Sequence, residues 1–387
     1  MAKRRANGEG TIFQRKDGRW VGQMLRGGRW LRKYGKTQQE VKDWLLEVRK
    51  QVADGFEFTA NKTTVGEYLE HWLETAQPGL RHNTWVMYKQ VVRDHILPGI
   101  GGVKLTALRP DHIQRLCAAR AAAGVGSSTI RKMHVCLHRA LGQATLWGLV
   151  PRNVASLVDK PRLKAKADRQ PLTPAEVQRL LVACRGHRME VLLYLAIVTG
   201  LREGELLGLR WSDVDWERQS LSVSRQVQRL RGGGGIVYAP VKTRAGSRLV
   251  ALGPDAMEML RMQRGRVDQM RRVAGEGWKE HDLVFPSMVG TPLEPGRVWR
   301  TLQQMLDKAG VQRVRVHDLR HTSATLMLLQ GVHPKVVQER LGHSSINVTM
   351  DVYSHVINGM QADAAVSIEA AVRPVAMEVP ERAGVGS

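Results

Sequence analysis

Four short motifs in the second half of this chain hold side chains that suit chemistry on a phosphate ester. The motifs are TGLREGE at 199–205, HDLRH at 317–321, LGHS at 341–344 and VYSH at 352–355. The groups of interest, including one lysine between the first two motifs, are Arg202, Lys242, His317, Arg320, His343 and Tyr353. Cations can clamp a phosphodiester and neutralise its transition state while a side-chain hydroxyl attacks phosphorus. The set therefore predicts phosphodiester cleavage that needs no metal.

Arg202 is assigned to phosphate binding because of its place in the first motif. It follows Thr199-Gly200-Leu201 at the end of an apolar segment that predicts a helix. A planar guanidinium at such a turn can hold two phosphate oxygens at once. Glu205 is expected to support Arg202 by hydrogen bonding, and Asp213 is expected to do similar structural work.

The histidines and the second arginine are assigned by their spacing. His317 and Arg320 are three residues apart, so a helix places both on one face, within reach of a single phosphate. His321 falls beside that face and is interpreted as a packed or hydrogen-bonded histidine. His343 follows Gly342, a residue that can end a helix and turn the chain. Its imidazole can then hydrogen-bond a nonbridging phosphate oxygen.

A metal site is the main alternative for these histidines, because His317, His321, His343 and His355 are clustered in the sequence. No Cys or Glu-x-x-His spacing accompanies them, and the arginines between them would repel a cation. Neither a metal nor any other cofactor is therefore expected.

The order Arg, Lys, His-x-x-Arg, Leu-Gly-His and Tyr resembles that of the tyrosine recombinases, in particular phage and mobile-element integrases. The resemblance extends from about residue 60 to about residue 370. It implies a site-specific DNA recombinase that integrates or excises a mobile genetic element. It also implies strand cleavage and rejoining without a metal or ATP.

The resemblance gives Tyr353 and Lys242 their roles. Tyr353 is the implied nucleophile, and its 3′-phosphotyrosyl link would keep the ester energy for rejoining. A phenol with its usual pKa of about 10 attacks poorly, so Arg202 and Arg320 are expected to stabilise the developing charge. Lys242 is the implied proton donor to the 5′ oxygen, because the family has a lysine at a β-hairpin.

The expected partners follow from the same resemblance. They are double-stranded DNA attachment sites, three further copies of the chain in a homotetramer, and accessory DNA-bending or directionality factors. A helix around 363–372 is expected to dock on a neighbouring subunit. No membrane partner is expected, and the predicted location is the bacterial cytoplasm, with nucleoid association on DNA.

The composition agrees with a nucleic-acid partner but does not prove it. The 387 residues carry a formal net charge of +23 and are 43% hydrophobic, which indicates folded domains with a positive surface. Ribosomal and membrane-surface proteins can be equally basic. Cys117, Cys136 and Cys184 are interpreted as buried thiols of a reducing cytosol. No apolar run reaches the roughly 18 residues of a membrane span, and no secretory signal is evident at the start.

Residues 1–60 are predicted to form three strands and a helix. Short β-branched or aromatic runs begin near Thr11, Trp20 and Arg29, and a helical pattern runs from about Thr37 to Val52. The unit resembles the arm-type DNA-binding domain of integrases, whose sheet enters the major groove. The alternative is a solvated basic sheet that packs on the next domain. The candidate DNA-contacting residues are Arg26, Arg29, Arg32 and Lys33.

Residues 61–157 are predicted to be an α-helical bundle with a basic face, which resembles the core-binding domain of tyrosine recombinases. Its helices are expected to begin at the Thr64 capping box, at Thr84, at Pro110 and at a cap formed by Ser127 or Ser128. The second of them is expected to stop at Pro98-Gly99. The candidate DNA-contacting residues here are Arg81, Lys89, Arg131 and Lys132.

A basic linker is predicted at 158–172, a catalytic domain of mixed α+β structure at 173–372 and a flexible tail at 373–387. The linker and the catalytic domain add three candidate DNA contacts, Lys164, Lys166 and Arg244. Strands are expected at 220–223, 236–238 and 248–252, with a turn at 232–235, followed by helices to about 372. The predicted fold is therefore multidomain and mainly α, with small sheets.

Two other functions compete with the recombinase. A type IB topoisomerase uses similar residues but rejoins the same strand as a monomer. A DNA-binding protein that has lost catalysis would keep the basic surface. The three-stranded N-terminal unit and the helical block favour the recombinase over the first, and the complete set of site residues argues against the second.

Overall fold

The computed structural model describes residues 10–26, 29–53, 62–159, 170–241 and 244–350, together with 366, 368, 369 and 372. The predicted site residues outside these are Lys164, Lys166, Lys242 and Tyr353, and for Arg26, Arg29 and Arg244 only the backbone is described. Most of the predicted linker and docking helix and the whole of the predicted tail also lie outside. The chain forms two compact units, Met1–Lys166 and Ala167–Ser387. The described residues are mainly helical with small antiparallel sheets, which confirms the predicted fold class.

The N-terminal segment has the predicted three strands and one helix. These elements are β1 (Thr11–Gln14), β2 (Trp20–Arg26), β3 (Arg29–Gly35) and α1 (Gln38–Ala53), with the strands in the antiparallel order β1-β2-β3. Helix α1 covers one face of the sheet and buries Met24, Leu45 and Val48. A Cβ added to Gly22 would lie 2.4 Å from Val41 Cγ1. Glycine at this position therefore lets the helix approach the central strand closely.

The helical block is a bundle of short helices. They are α2 (Val65–Ala76), α3 (His82–Val91), a π-helical turn (Val92–Ile96), α4 (Leu97–Ile100), α5 (Pro110–Ala122) and α6 (Ser127–Leu146). The predicted capping box is present, because Glu67 Oε2 accepts the Thr64 amide at 2.7 Å. Leu69, Ile113 and Leu137 are fully buried between the helices.

Two predicted helix ends in this block are wrong. The second helix does not stop at Pro98, since the chain continues through the π-helical turn and α4 to Ile100. Pro98 lies in the first turn of α4, where its missing N–H is tolerated. The last helix is capped by Gly126, and Ser127 is already its first helical residue.

The described residues of the second unit include two small sheets and the following seven helices. These are α7 (Pro174–Cys184), α8 (Glu190–Thr199), α9 (Glu203–Leu207), α10 (Pro254–Ala274), α11 (Pro295–Ala309), α12 (Val316–Leu329) and α13 (Pro334–Leu341). A short additional helical segment covers 346–350. The apolar helix α8 lies at the centre of one large core that also includes Leu260, Leu302 and Leu319.

The strands of this unit are β4 (Val214–Asp215), β5 (Ser220–Val223), β6 (Arg225–Arg229), β7 (Ile236–Pro240) and β8 (Arg248–Ala251). They form a β4-β5-β8 sheet and a separate β6-β7 hairpin. The sequence placed a turn at 232–235 between β5 and β7, whereas β7 pairs with β6 and β5 pairs with β8. β6 was missed because its sequence, RQVQR, has a single apolar residue.

The prediction of continuous helix after β8 is also wrong for 278–294. This segment is irregular and contains the isolated bridges Arg210↔Leu283 and Pro286↔Pro292. The prolines interrupt helical hydrogen bonding, and Val284 and Phe285 are buried in the core. Within the ranges that the structure describes, no helix has the length and apolar character that a membrane span needs.

Candidate active site

The end of α8 brings the first motif against the third. Gly200 has a φ of 62° and ends the helix in the left-handed conformation. A Cβ at this position would lie 2.2 Å from Leu341 Cδ2 and 3.0 Å from Ser323 Oγ. The turn therefore packs directly on α12 and α13, and Arg202 leaves it next to the Leu341-Gly342-His343 segment.

Arg202 is held from two sides. Its Nη1 donates to Glu205 Oε1 at 2.7 Å, and its Nη2 donates to the Gly342 carbonyl at 3.0 Å. The backbone N–H of Arg202 also donates to Glu205 Oε2 at 3.0 Å. These contacts confirm the predicted support from Glu205. The Arg202 side chain remains 34% exposed, so a fixed guanidinium edge is still open to a ligand.

Arg320 is the most deeply buried cation of the site, with 3% of the residue exposed. Its Nη1 donates to the Gly200 carbonyl at 2.8 Å and its Nη2 to the Leu341 carbonyl at 2.6 Å. In the described part of this unit, no carboxylate forms an ion pair with it. Burial, with the charge of Arg202 second, lowers the pKa of Arg320 to about 9. A buried cation bonded to carbonyls favours an anionic ligand.

His343 completes this cluster. Gly342, with a φ of 66°, ends α13 and turns the chain so that the imidazole is buried. Its Nδ1 lies 2.9 Å from Thr349 Oγ1. Burial, followed by the charges of Arg320 and Arg202, lowers the pKa of His343 to about 4. The free protein therefore presents a neutral imidazole beside two arginines.

His317 lies in the first turn of α12, three residues before Arg320, as predicted. One side of the residue is exposed to solvent, and its ring meets that of His321 edge to face with 5.1 Å between centroids. Desolvation by the surrounding protein, then His321 and Arg320, lower the pKa of His317 to about 4. The interpretation of His321 as a packed histidine is confirmed by this ring contact.

Asp213 supports the structure by hydrogen bonding, as predicted. Its partners are Arg210 and Arg225 and not Arg202. Its Oδ2 accepts the Arg210 amide at 2.9 Å and Nη1 of Arg225 at 2.5 Å. These contacts join the segment after α9 to β6. Asp213 therefore supports the strand that pairs with β7.

The lysine and the tyrosine can be located only by their neighbours in the sequence. Lys242 lies between the end of β7 and the Arg244–Gly246 turn. A Cβ at Gly342 would lie 2.5 Å from the Ala245 carbonyl oxygen, so that turn touches the His343 segment. Tyr353 lies three residues beyond Met350.

One buried arginine of the site was not recognised from the sequence. Arg248 was noted there only as a cation near Lys242, yet its side chain is 7% exposed and bonded to Glu205 Oε2 at 2.9 Å. The signal for it is strand alternation, because Arg248 lies on the same face of β8 as the buried Val250.

The side chains of the N-terminal sheet that were predicted to contact DNA lie on both of its faces. Arg32 Nε donates to Gln23 Oε1 at 3.2 Å on the face away from α1. Lys33 points to the other face, where its Nζ lies 3.8 Å from Glu40 Oε1. Arg26 and Arg29 are directly paired across β2 and β3. Only Arg32 is therefore shown on the uncovered face, and the DNA contacts stay a prediction.

The candidate contacts of the helical block are all exposed. Arg81 is the N-cap residue of α3, and Lys89 Nζ lies 5.2 Å from the centroid of the Trp85 ring in the same helix. Arg131 and Lys132 are adjacent on α6. Contact of these four side chains with a phosphate backbone stays a prediction.

The cysteines and the metal alternative can be assessed in the described ranges. Cys136 and Cys184 are buried and Cys117 is half-buried, with no disulfide. Burial raises the pKa of Cys136 to about 12, as expected for an unreactive thiol. No group of three or more His, Cys, Asp or Glu side chains in these ranges is arranged to hold a metal.

The lowered histidine pKa values predict a pH effect on stability. In the folded protein His317 and His343 have a pKa of about 4, against about 6.5 when unfolded. Below about pH 6.5 the unfolded chain binds protons more readily, so stability is lost as the pH falls towards 4. The melting temperature should fall from neutral to acidic pH, and less steeply in His343→Gln. Equal slopes for the two proteins would contradict the assignment to His343.

Comparisons with known proteins place this chain in a family. The chain matches the phage integrase family over residues 170–359 and the phage integrase N-terminal SAM-like domain over 64–118. It is 29% identical over 356 residues to "Tyrosine recombinase XerC-like" of Caldanaerobacter subterraneus subsp. tengcongensis, covering 87% of this chain and 91% of the relative. It is 31% identical over 372 residues to an integrase of Streptomyces ambofaciens, covering 91% and 94%.

Solved structures share the fold. The Tn1549 transposon integrase aligns with a TM-score of 0.66 at 20% identity, covering 79% of this chain and 99% of that one. A lambda integrase aligns with a TM-score of 0.53 at 18% identity, covering 90% and 96%. The chain therefore belongs to the phage integrase family of tyrosine recombinases, enzymes that perform site-specific recombination by cutting and rejoining DNA.

Proposed function

We propose that Arg202, Arg320 and His343 bind the scissile phosphate of a DNA attachment site, and that Tyr353 cleaves the strand there. One observation carries this proposal. Both guanidinium groups are fixed by the main-chain carbonyls of Gly200, Leu341 and Gly342, with no carboxylate bonded to Arg320 in the described residues. The site thus holds a preorganised positive charge without a full internal counterion.

The reaction balances with the groups of this chain. The Tyr353 hydroxyl gives its proton to solvent water and its oxygen attacks phosphorus, and the bond from phosphorus to the 5′ oxygen breaks. Lys242 donates a proton to the departing oxygen. Arg202 and Arg320 stabilise the negative charge on the oxygens of the pentacoordinate phosphorus. Attack of a 5′-hydroxyl of a partner duplex on the phosphotyrosyl bond reverses these steps and joins the new strand.

His317 and His343 serve as neutral hydrogen-bond donors in this scheme. Each imidazole is uncharged at neutral pH in the free protein because its pKa is lowered. A neutral imidazole still offers one N–H to a nonbridging oxygen. A bound phosphate would favour the protonated form and raise both pKa values.

The assembly is proposed from a relative. The lambda integrase with the shared fold is a tetramer bound to a Holliday junction. We propose the same homotetramer here, on two double-stranded DNA attachment sites, with accessory DNA-bending or directionality factors. Action on bacterial DNA would place the protein in the cytoplasm.

Covalent capture tests the function directly. The full chain is incubated with genomic DNA that flanks its own gene, and the DNA attached to protein is sequenced to map cleavage positions. A nicked suicide duplex built on the mapped position should then accumulate a covalent adduct at its 3′ phosphate. Reversible binding without any adduct would favour a binding protein, and relaxation of supercoils without exchange between two sites would favour a topoisomerase.

Deletion of residues 1–60 is expected to separate arm binding from cleavage. The segment contains none of the proposed catalytic groups but carries 14 Lys and Arg against 7 Asp and Glu. The deleted protein should lose its footprint on distal arm-type sequence and still cleave the core site. Binding of the isolated segment should weaken steeply with salt, because each phosphate contact releases about one counterion. Identical footprints of the full and shortened proteins would contradict a separate arm site.

A further inference from the structure

Arg248 occupies the point where three parts of the site meet. It is the first residue of β8, two residues after the turn that follows Lys242. Strand alternation directs its side chain to the same face as Val250, and only 7% of the side chain is exposed. Burying a guanidinium is costly unless its donors are satisfied, so its contacts show what it holds.

Each part of the Arg248 guanidinium has a separate partner. Nε donates to the Arg340 carbonyl at 2.7 Å, at the end of α13 just before the His343 turn. Nη1 donates to the Gly246 carbonyl at 2.9 Å, in the turn after Lys242. Nη2 donates to Glu205 Oε2 at 2.9 Å, and the other oxygen of Glu205 holds Arg202.

We propose that Arg248 is a positioning residue that holds Arg202, the His343 turn and the Arg244–Gly246 turn that follows Lys242 in one arrangement around the scissile phosphate. The inference rests on the proposed function, because it assumes that these three groups act on the same phosphate. Arg248 does not itself need to touch DNA. It acts through Glu205 and through two main-chain carbonyls.

The shape of the side chain explains why an arginine is required. A guanidinium presents donors in three directions of one plane, whereas a lysine ammonium is a single point on a flexible stem. A Cβ at Gly342 would lie 3.0 Å from Arg248 Cδ and 3.1 Å from Nη1. The carbonyl groups of Arg340 and Gly246 and the His343 turn therefore pack around the Arg248 side chain.

Arg266 provides a matched control. Its Nη2 donates to Glu190 Oε2 at 2.7 Å and its Nη1 to the His187 carbonyl, so it too is a partly buried ion pair in the same unit. Glu190 begins α8, whereas Gly200 follows its last residue. At a rise of about 1.5 Å per residue, this pair lies at the far end of the helix from the site.

The test compares Arg248→Met, Arg248→Lys and Arg266→Met on the nicked suicide duplex mapped for the wild-type protein. The readouts are the single-turnover cleavage rate at saturating protein, the Kd for the core site and the melting temperature. Both Arg248 variants should lose about 10²-fold in cleavage rate, the loss that misplacement by about 1 Å can cause, with little change in Kd. Arg266→Met should lower the melting temperature and retain the cleavage rate.

Two further readouts distinguish positioning from general destabilisation. A 5′-bridging phosphorothiolate, whose sulfur leaves without a proton, should recover part of the loss in Arg248→Met because part of it acts through Lys242. The double variant Arg248→Met with Glu205→Gln should cleave no more slowly than the slower single variant, since the two residues act as a unit. If Arg248→Met does not fold, Arg248→Lys carries the same comparisons.

Each of three results would overturn the role of Arg248 and leave the proposed function intact. They are a wild-type cleavage rate in both Arg248 variants, an equal loss of cleavage rate in Arg266→Met, and losses of rate that multiply in the double variant. If the phosphorothiolate restores no cleavage in Arg248→Met, the loss in that variant does not act through Lys242. A wild-type protein that captures no DNA covalently in the mapping experiment would reject the proposed function itself.

Discussion

Replacement of Tyr353 by phenylalanine is expected to abolish the covalent adduct while DNA binding is retained. The substitution removes one hydroxyl and almost no apolar surface, so the fold and the basic surface should be unaffected. Without the phenolic oxygen no phosphotyrosyl bond can form, and the rate should fall below detection on the suicide duplex. Adduct formation is measured by denaturing gel, and core-site binding by electrophoretic mobility shift.

Tyr194→Phe is the matched control for this experiment. Tyr194 is another of the six tyrosines in the chain and packs against the core of the second unit from α8. Burial raises the pKa of its phenol, which makes it a poor nucleophile. This variant should form the adduct at the wild-type rate. An adduct in Tyr353→Phe, or its mapping by mass spectrometry to another residue, would refute the assignment.

Lys242→Ala is expected to slow cleavage by about 10²–10⁴-fold, the usual contribution of a general acid. The reason is that an ordinary 5′ oxygen must leave as an alkoxide when no proton is supplied. A 5′-bridging phosphorothiolate needs no proton on leaving, so this substrate should restore much of the rate. The measurement is the ratio of cleavage rates on the two duplexes, for the wild-type and the variant protein.

Lys335→Ala controls for the loss of a positive charge. Lys335 lies on α13, is exposed and pairs with Glu339, whose Oε1 is 3.3 Å from its Nζ. Its removal should leave the rates on both duplexes near those of the wild type. An equal defect of Lys242→Ala on the oxygen and sulfur substrates would show that Lys242 is not the acid and that its charge acts in another way.

Local signals in the sequence predicted most of the elements. The capping box at Thr64 marks the start of α2 because a side chain and an amide only three residues apart satisfy each other. The apolar helix before Arg202 was predicted from its run of apolar residues. Two of the errors fell where packing outweighs local preference: Pro98 inside a continuing helical path, and the polar strand β6.

The identity and order of the candidate site residues were also readable from the sequence. A helix repeats every 3.6 residues, so His317 and Arg320 had to share a face of α12 once that helix formed. The family resemblance followed from the same motifs. Lys242 and Tyr353 still rest on it, because both lie outside the described residues.

Only the tertiary structure decided how the cations are held. Arg202 bonds a carbonyl 140 residues away, and Arg320 bonds one 120 residues away. No local periodicity encodes such pairs, since they exist only after α8, α12 and α13 have packed on one core. The same holds for Arg248, whose strand position predicts burial but whose three partners come from separate segments. The sequence by itself therefore identified the candidate groups for binding a phosphate. The folded chain determined their orientation, because main-chain carbonyls become available as partners only where distant segments end side by side.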